Sequence, residues 1–368
     1  MGKEGMEMEQ GLCPPQGWWW WWHCRCPHGC APPGPSHWKE LKATCGGDKQ
    51  SPVNIDRHQL QRDGGLGDIV FEGYDQAPPG KWRLLNDGHT VMLSLEGEPG
   101  AEHIAISGGG LPGRYRALQL HFHWGSPSQN GSEHTVDGQQ LPMELHIVHV
   151  NVKYRTLGEA KGHPNGLAVL GCFFQVSEAP NSNYNTIIGG LRNISHAGQA
   201  VELASTFRLG TLLPHVAQLS RYYRYQGSLT TPDCSEAVIW TVFEEPVDIG
   251  REQVTGILSP AAVCWKGPSD RSALVSIPSP CAGEAKCPWY HFPPAPLSPQ
   301  LQAFVSTVHF PTSGSAPLKM TNNFRPPQPL HSRKVFSSRD ATASSGCPRC
   351  PLALLLLLPL LGPFSSSP

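Results

Sequence analysis

Short apolar segments separated by turn-forming residues run through most of this chain, and they constrain its fold more than any other feature. Seven segments have the length and the β-branched or aromatic content of strands: Asp68–Gly73, Trp82–Glu96, His103–Ser107, Tyr115–Trp124, Met143–Val152, Leu167–Val176 and Ala237–Val247. Helical periodicity is only local, at Thr186–Asn193 and Phe207–His215. The sequence therefore predicts a mostly β (α+β) domain with a single large, mainly antiparallel central sheet and short peripheral helices.

Composition supports this prediction and excludes one class of partner. Glycine and proline number 39 and 37 of 368 residues, as expected for a chain with many turns. Several strands are apolar at nearly every position, so we expect both faces of the sheet's middle to be covered. The formal net charge is -1, which gives no basic footprint for nucleic acid.

Three histidines fall on two of the predicted strands with a spacing that permits metal binding. Side chains alternate between faces along a strand, so His121 and His123 share one face, and Glu144, His146 and Val148 share one face of the second strand. If the two strands pair as neighbours, three imidazoles converge, and such a set is typical of catalytic zinc sites. A His-x-His pair is often incidental, and spacing alone leaves both interpretations open.

Longer motifs then point to a known family. Residues 121–125 (HFHWG), 132–137 (SEHTVD), 144–149 (ELHIVH) and 227–232 (GSLTTP) closely resemble the signature of the alpha carbonic anhydrases. The flanking segments 50–55 (QSPVNI), 86–89 (NDGH) and 323–326 (NFRP) match in the same order. The resemblance covers residues 37–253 and 301–330. It implies the alpha carbonic anhydrase fold and a lyase that reversibly hydrates carbon dioxide to bicarbonate and a proton by means of zinc-bound hydroxide.

The resemblance also implies roles for individual residues at the metal. His121, His123 and His146 match the Zn2+ ligands of the family, and Gln119 and Glu144 match partners that hold the ring N–H groups of His121 and His146. Thr230 and Glu133 match a catalytic pair. The threonine hydroxyl accepts a hydrogen bond from the zinc hydroxide and donates one to the glutamate, because a hydroxyl is donor and acceptor at once.

Substrate, proton and disulfide positions carry over in the same way. His89 matches the catalytic proton shuttle, since an imidazole with a pKa of about 6.5 exchanges protons in both directions near neutral pH. Cys45 and Cys234 match a disulfide, and Thr231 matches a residue beside the substrate. The remaining substrate-binding positions form an apolar wall suited to uncharged carbon dioxide: Val148, Val169, Leu229, Val238 and Trp240, with Thr230 next to them.

The C-terminal residues indicate a membrane anchor. Residues 352–361 (LALLLLLPLL) form a ten-residue apolar run, about half the length that a helix needs to cross a bilayer. Small residues precede it at 341–346, which is the pattern of a GPI attachment signal, although an ordinary apolar tail has the same composition. This pattern, the resemblance to the GPI-anchored branch of the family and two sequons at Asn130 and Asn193 predict a glycoprotein at the extracellular face of the plasma membrane. No signal peptide is recognisable at the start of the chain.

These features divide the chain into three segments. Residues 1–36 form an atypical N-terminal segment, expected to be disordered; residues 37–336 form the carbonic anhydrase domain; residues 337–368 form a linker and the apolar tail. The domain is interrupted at 254–300, where 47 residues lack any sustained period. A structureless loop of this length is unusual inside a compact domain, which indicates an insertion.

Three other hypotheses stay open on sequence grounds. The first is a binding module that has lost catalysis, but such relatives typically lack zinc histidines that are present here. Another class of zinc hydrolase would need a His-Glu-x-x-His motif, which is absent. The third hypothesis is a nonfunctional splice product, and it rests on the unusual segment 254–300.

The insertion hypothesis predicts the covalent structure of the native protein. Peptide mass spectrometry on protein from its natural source should find Gln253 joined directly to Leu301. Abundant peptides from within 254–300 would contradict the hypothesis.

Overall fold

The structure is a computed structural model that describes residues 34–95, 101–250, 299–311 and 317–343. Within these ranges the strands are β1 Asn54–Ile55, β2 Gln61–Arg62, β3 Ile69–Glu72, β4 Arg83–Asn86, β5 Val91–Ser94, β6 Ala105–Gly108, β7 Tyr115–Trp124, β8 Thr135–Val136, β9 Gln139–Gln140, β10 Met143–Asn151, β11 Leu167–Ser177, β12 Ala200–Glu202, β13 Tyr222–Gly227, β14 Val238–Phe243, β15 Val247–Gly250 and β16 Phe336–Ser337. The α-helices are α1 Trp38–Leu41, α2 Leu157–Ala160, α3 Asn185–Gly190 and α4 Pro299–Thr307. Short 3-10 helices occupy Pro35–His37, Ala43–Gly46, Ala101–His103, Ser182–Tyr184, Leu191–Ile194, Leu209–Leu212 and Val216–Gln218.

One large sheet dominates the described residues. It has 13 strands, ten of them in the order β12-β4-β5-β7-β10-β11-β14-β13-β16-β2, with β6 added beside β7, β3 beside β6, and β15 beside β11. Most neighbours are antiparallel, and the parallel pairs are β11–β14, β11–β15 and β16–β2. A small second sheet joins β1, β8 and β9. This architecture confirms the predicted fold class.

The middle of the large sheet is covered on both faces, as predicted. All nine residues of β10 and all six of β14 are buried. Leu120, Phe122 and Leu145 point into one hydrophobic cluster, and Val148 and Val169 point into a second. Because neighbours along a strand point to opposite faces, the two clusters lie on opposite sides of the sheet. His121, His123 and His146 share the face of the second cluster, whereas His149 of β10 lies on the opposite face, against Tyr74.

Two of the predicted strands are interrupted. The segment Trp82–Glu96 folds as β4 and β5, because the side chains of Asn86 and Asp87 accept backbone hydrogen bonds that close a turn at Gly88. At Gly88 the chain adopts φ 91°, which glycine tolerates without strain. The segment Ala237–Val247 likewise divides into β14 and β15 before Pro246. The end of the first segment, from Glu96, lies outside the described residues.

The other elements agree with the predictions to different degrees. Strand β7 has the predicted bounds, whereas β13 (YYRYQG) was not predicted, because its alternation is obscured by aromatic and polar residues on both faces. The helix predicted at Thr186–Asn193 is present as α3 followed by a 3-10 helix. The helix predicted at Phe207–His215 is only the 3-10 helix Leu209–Leu212. No helix within the described ranges is long and apolar enough to span a bilayer.

The predicted segment boundaries are only partly covered by the structure. The atypical segment 1–36 is described from Gly34 onward, and the proposed insertion only at its last two positions, where α4 begins at Pro299. The C-terminal apolar run lies outside the described residues.

The double burial of β10 predicts a large effect from shortening a side chain there. Leu145 is fully buried between Phe122 of β7 and Cys172 of β11. Leu145→Ala should lower the free energy of unfolding by about 2–5 kcal/mol, because it leaves a cavity that the sheet cannot close. Urea denaturation measures this loss. Val152→Ala, at a position 45% exposed just beyond β10, should change stability by no more than about 0.5 kcal/mol. An equal effect of the two variants would contradict this description of the core.

Candidate metal centre

Three imidazoles meet where β7 and β10 pair. The two strands are antiparallel neighbours, as predicted, and His146 lies directly opposite His121. The ring centroids are 5.0 Å apart for His121 and His123, 5.2 Å for His121 and His146, and 4.6 Å for His123 and His146. One ring nitrogen from each residue lies within 4.8 Å of the other two. The strand pairing therefore brings three nitrogen donors to one point.

The outer nitrogen of each ring is held by a hydrogen-bond acceptor. His121 Nδ1 lies 2.9 Å from Gln119 Oε1, and His146 Nε2 lies 2.8 Å from Glu144 Oε1. His123 Nδ1 lies 2.8 Å from the backbone oxygen of Asn323. A carbonyl or carboxylate oxygen only accepts, so the outer nitrogens carry the protons. The inner atoms, Nε2 of His121 and His123 and Nδ1 of His146, keep their lone pairs.

The surroundings favour the neutral form of the rings. Burial lowers the pKa of His121 well below its ordinary value, and the neighbouring His123 and His146 rings lower it further. Burial also lowers the pKa of His123. Metal ligation requires a neutral imidazole, so desolvation prepares these side chains for a cation.

The donor set fits a zinc ion. His123 Nε2 is buried and has no hydrogen-bond partner in the described part of the chain. A buried polar atom left in this state is costly, and a metal bond would satisfy it. Three imidazole nitrogens are the ligands of catalytic zinc sites, which keep one further position for solvent or substrate. The group His134, Glu144 and His146 is also close enough to hold a metal, but its members are hydrogen-bonded to each other.

Glu144 joins the metal centre to the rest of the core. Its side chain is fully buried, and Oε1 accepts from the rings of His134 at 2.7 Å and His146 at 2.8 Å. Oε2 accepts the backbone N–H groups of Glu133 and His134, both at 2.8 Å. Burial would raise the pKa of Glu144, but His134 and His146 hold that pKa well below its ordinary value. Gly171, opposite His146, leaves room for this carboxylate, since a Cβ there would lie 3.2 Å from Oε1.

Glu133 and Thr230 are both buried on loops, and Glu133 lies beside the three imidazoles. Glu133 Oε2 lies 3.4 Å from His123 Nε2, and Glu133 Oε1 accepts the backbone N–H of Arg325 at 2.7 Å. Oε2 has no hydrogen-bond partner among the described residues, so the expected bond from the Thr230 hydroxyl is not formed in this structure. Thr230 is 5% exposed, in the connection between β13 and β14, and Thr231 beside it is exposed.

That connection is attached to Thr44 and Cys45, early in the domain, and to Lys161. The predicted disulfide between Cys45 and Cys234 is present, with Cα atoms 4.9 Å apart. The hydroxyl of Thr44 donates to the backbone oxygen of Asp233 at 2.6 Å, and Lys161 pairs with the Asp233 carboxylate at 3.4 Å. The loop carrying Thr230 is therefore fixed by a covalent bond, a hydrogen bond and an ion pair.

An apolar surface lies beside His146. Val169 faces Val148 on β10 and Trp240 on β14, and the Trp240 ring meets the His146 ring edge to face at 4.8 Å. Val238 belongs to the same cluster, and the half-buried Leu229 packs against it. The structure thus brings all five predicted wall residues together on the metal face.

The other predicted positions lie at the surface. His89 is exposed on the turn between β4 and β5, and its backbone oxygen accepts a hydrogen bond from Asn323 Nδ2 at 3.1 Å. Asn130 and Asn193 are both exposed, as glycan attachment requires. The Asn130 amide donates to the backbone oxygen of Gln140 at 2.7 Å, a bond that a glycan would have to accommodate.

Two contributors were not predicted as site residues. The Asn323 carbonyl holds His123, and His134 connects Glu144 to the hydroxyl of Tyr225 at 2.6 Å. A backbone carbonyl 200 residues from its partner leaves no side-chain signal in a sequence. His134 does carry a signal, since it follows Glu133 directly within the quoted 132–137 motif.

The Glu144 contacts predict weaker metal binding when the carboxylate is neutralised. Glu144→Gln should lower zinc affinity about 10–100-fold, because substitutions of groups that orient metal ligands have effects of this size. Competition with a chromophoric chelator measures the change. Glu202→Gln, which removes an exposed carboxylate paired with Lys81, is the matched control and should bind zinc normally. Equal affinities in the two variants would show that Glu144 does not orient His146.

Comparison with known proteins identifies the family of this chain. A model of the eukaryotic-type carbonic anhydrase family matches residues 33–261. Carbonic anhydrase 15 of Mus musculus is 42% identical over 328 residues, which cover 89% of this chain and 86% of that protein. Carbonic anhydrase 4 of Oryctolagus cuniculus is 42% identical over 222 residues, 60% of this chain and 68% of that protein. Carbonic anhydrase 12 of Homo sapiens is 40% identical over 228 residues, 61% of each chain. Together with the fold, these matches show that the chain belongs to the eukaryotic-type carbonic anhydrase family.

Proposed function

We propose that this chain is a zinc-dependent carbonic anhydrase that reversibly hydrates carbon dioxide to bicarbonate and a proton. The observation that carries the proposal is the convergence of His121, His123 and His146, with one nitrogen of each within 4.8 Å of the other two. A zinc ion held there would act as a Lewis acid and make hydroxide available at neutral pH, chemistry for which carbonic anhydrase is itself the reference example.

In the proposed mechanism Gln119, Glu144 and the Asn323 carbonyl fix the direction of the three ligand rings. Each accepts a hydrogen bond from the outer ring N–H, so the inner lone pairs stay aimed at one point. Fixed orientation matters because preorganised groups need not rearrange as the reaction proceeds.

Thr230 and Glu133 would orient the attacking oxygen. Glu133 accepts from Arg325 N and retains a second oxygen for the Thr230 hydroxyl. That hydroxyl can donate to Glu133 and accept from the attacking group at the same time. The backbone N–H of Thr230 and the side chain of Thr231 would then contact the bicarbonate product.

The apolar wall would receive the substrate. Carbon dioxide has no charge and no hydrogen-bond donor, so burial against Val148, Val169 and Trp240 binds it without requiring a polar partner. This apolar surface, formed by the Trp240 ring and the smaller valines, lies beside the ligand His146.

His89 would carry the proton from the active site to solvent. The side chain is exposed on a turn that leads into β5, where Met92 faces the ligand His121 across the strand pair. An exposed imidazole can accept a proton on one ring nitrogen and release one from the other, so it can relay protons in either direction.

The C-terminal pattern and the two sequons support attachment at the extracellular face of the plasma membrane by a GPI anchor. Phosphatidylinositol-specific phospholipase C should then release the enzyme from intact cells that express it. Retention on the cells after this treatment would argue against the anchor.

The direct test is zinc content and carbon dioxide hydration by the purified chain. One zinc per chain with hydration activity supports the proposal, and His123→Ala should abolish both. Zinc without hydration would favour a binding module that has lost catalysis. A preparation that holds no zinc and does not fold would favour a nonfunctional product.

The shuttle assignment predicts a buffer-dependent defect. His89→Ala should lower kcat about tenfold or more in weak buffer, since general acid–base transfer contributes factors of this order or larger. Added imidazole should restore it, and kcat/KM should stay unchanged. His103→Ala removes a histidine whose side chain is 80% exposed and should have no effect. Unchanged kcat for His89→Ala in weak buffer would exclude the role.

A further inference from the structure

Every polar group of Asn323 takes part in a hydrogen bond. Its partners lie on two segments, the end of β7 and the turn that carries His89. Its backbone oxygen accepts from His123 Nδ1 at 2.8 Å, and its backbone N–H donates to Trp124 O at 3.3 Å. Its side-chain Oδ1 accepts from Trp124 N at 2.8 Å. The amide Nδ2 donates to the backbone oxygens of Phe122 at 3.2 Å and His89 at 3.1 Å. One residue thus links the end of β7 to the turn that carries His89.

The turn that carries His89 is itself a defined structure. Asp87 Oδ1 accepts the backbone N–H groups of His89 and Thr90, both at 2.8 Å, and Asn86 Oδ1 accepts that of Gly88 at 2.9 Å. The Thr90 hydroxyl donates to the backbone oxygen of Phe122. The turn is therefore a small rigid unit, and its position depends on how it is joined to β7.

Hydrogen bonds from two residues hold this turn against β7, the strand that carries two of the metal ligands. Thr90 binds Phe122, the residue between His121 and His123, and Asn323 binds both Phe122 and His89. Thr90 lies at the buried end of the turn, whereas the Asn323 amide holds His89 itself, at the exposed end. Removing the amide would leave the His89 carbonyl bonded only to solvent, and this end of the turn would gain freedom relative to β7.

We propose that the side-chain amide of Asn323 is a positioning element that fixes His89 relative to the metal ligands. The inference rests on the proposed function, because it assumes that His89 transfers protons. Transfer through a short chain of solvent molecules depends on distance and orientation, so the constrained turn keeps His89 in transfer geometry. The ring of the ligand His123 is held by the backbone carbonyl of Asn323, whereas the bond to the His89 carbonyl comes from the side-chain amide.

Asn323→Asp separates these two contributions. The variant keeps the side-chain shape, the backbone contact to His123 and an oxygen for Trp124 N, and it removes the N–H donors to Phe122, His89 and the sulfur of Met320. Asn322→Asp is the matched control. Asn322 is the exposed neighbour, at φ 54°, a conformation that aspartate tolerates almost as well as asparagine. Asn323→Ala removes the amide without adding a charge.

Proton transfer and the hydration step are measured separately, by kcat in weak buffer and by kcat/KM. Asn323→Asp and Asn323→Ala should lower kcat in weak buffer about three- to tenfold, an effect on the scale of one or two lost hydrogen bonds. Imidazole should restore kcat, and the loss of kcat in weak buffer should exceed any loss of kcat/KM, which reports the hydration step. Asn322→Asp should match the unaltered protein throughout.

A second measurement does not depend on activity. In zinc-free protein, amide hydrogen exchange of His89 and Thr90 should be about tenfold faster in Asn323→Asp than in Asn322→Asp, because local opening of the turn becomes easier. Equal exchange rates, or equal kcat in weak buffer for the two variants, would overturn the proposal. Loss of zinc from Asn323→Asp would overturn it as well, since slower turnover would then follow from damage to the metal centre and not from displacement of His89. Failure of His89→Ala to slow turnover would instead defeat the shuttle assignment itself, whatever the Asn323 variants do.

Discussion

The register between β7 and β10 decides whether three imidazoles can meet in this protein. With His146 opposite His121, both strands turn their histidines toward the same face. A slip of one residue would send His146 to the other face and replace it with Leu145 or Ile147. The register is held by the core, because Leu145 pairs with Phe122 on the side of the first hydrophobic cluster. The packing that stabilises the sheet therefore also assembles the metal centre.

A buried polar network surrounds this centre in an otherwise apolar sheet. Glu144 accepts four hydrogen bonds and has none of its surface exposed. From His134 the network continues through the Tyr225 hydroxyl to Ser51, at 2.6 Å and 2.9 Å. Such networks stabilise only when each member is satisfied, because the interior penalises any unpaired polar atom. The unpaired Nε2 of His123 lies where the proposed ligation would satisfy it.

The sequence predicted those parts of the molecule that depend on local periodicity or on quoted motifs. The fold class, the bounds of β7, the shared face of the three histidines and the pairing of Cys45 with Cys234 all agree with the structure, although the disulfide rested on family resemblance. Strand β13 was not predicted, because polar and apolar residues do not alternate along Tyr222–Gly227. Five of its six residues are buried, so both faces of the strand are covered. The Asn323 carbonyl escaped because a backbone acceptor has no residue-type signature. The catalytic roles of His89, Thr230 and Glu133 remain predictions.

The central claim is that three imidazole nitrogens from two paired strands bind one zinc ion. X-ray absorption at the zinc edge of the purified, zinc-loaded protein tests it most directly. The account predicts three histidine nitrogens at about 2.0–2.1 Å and one additional light-atom ligand. Sulfur ligands at about 2.3 Å, or fewer than three imidazoles in the zinc shell, would contradict it.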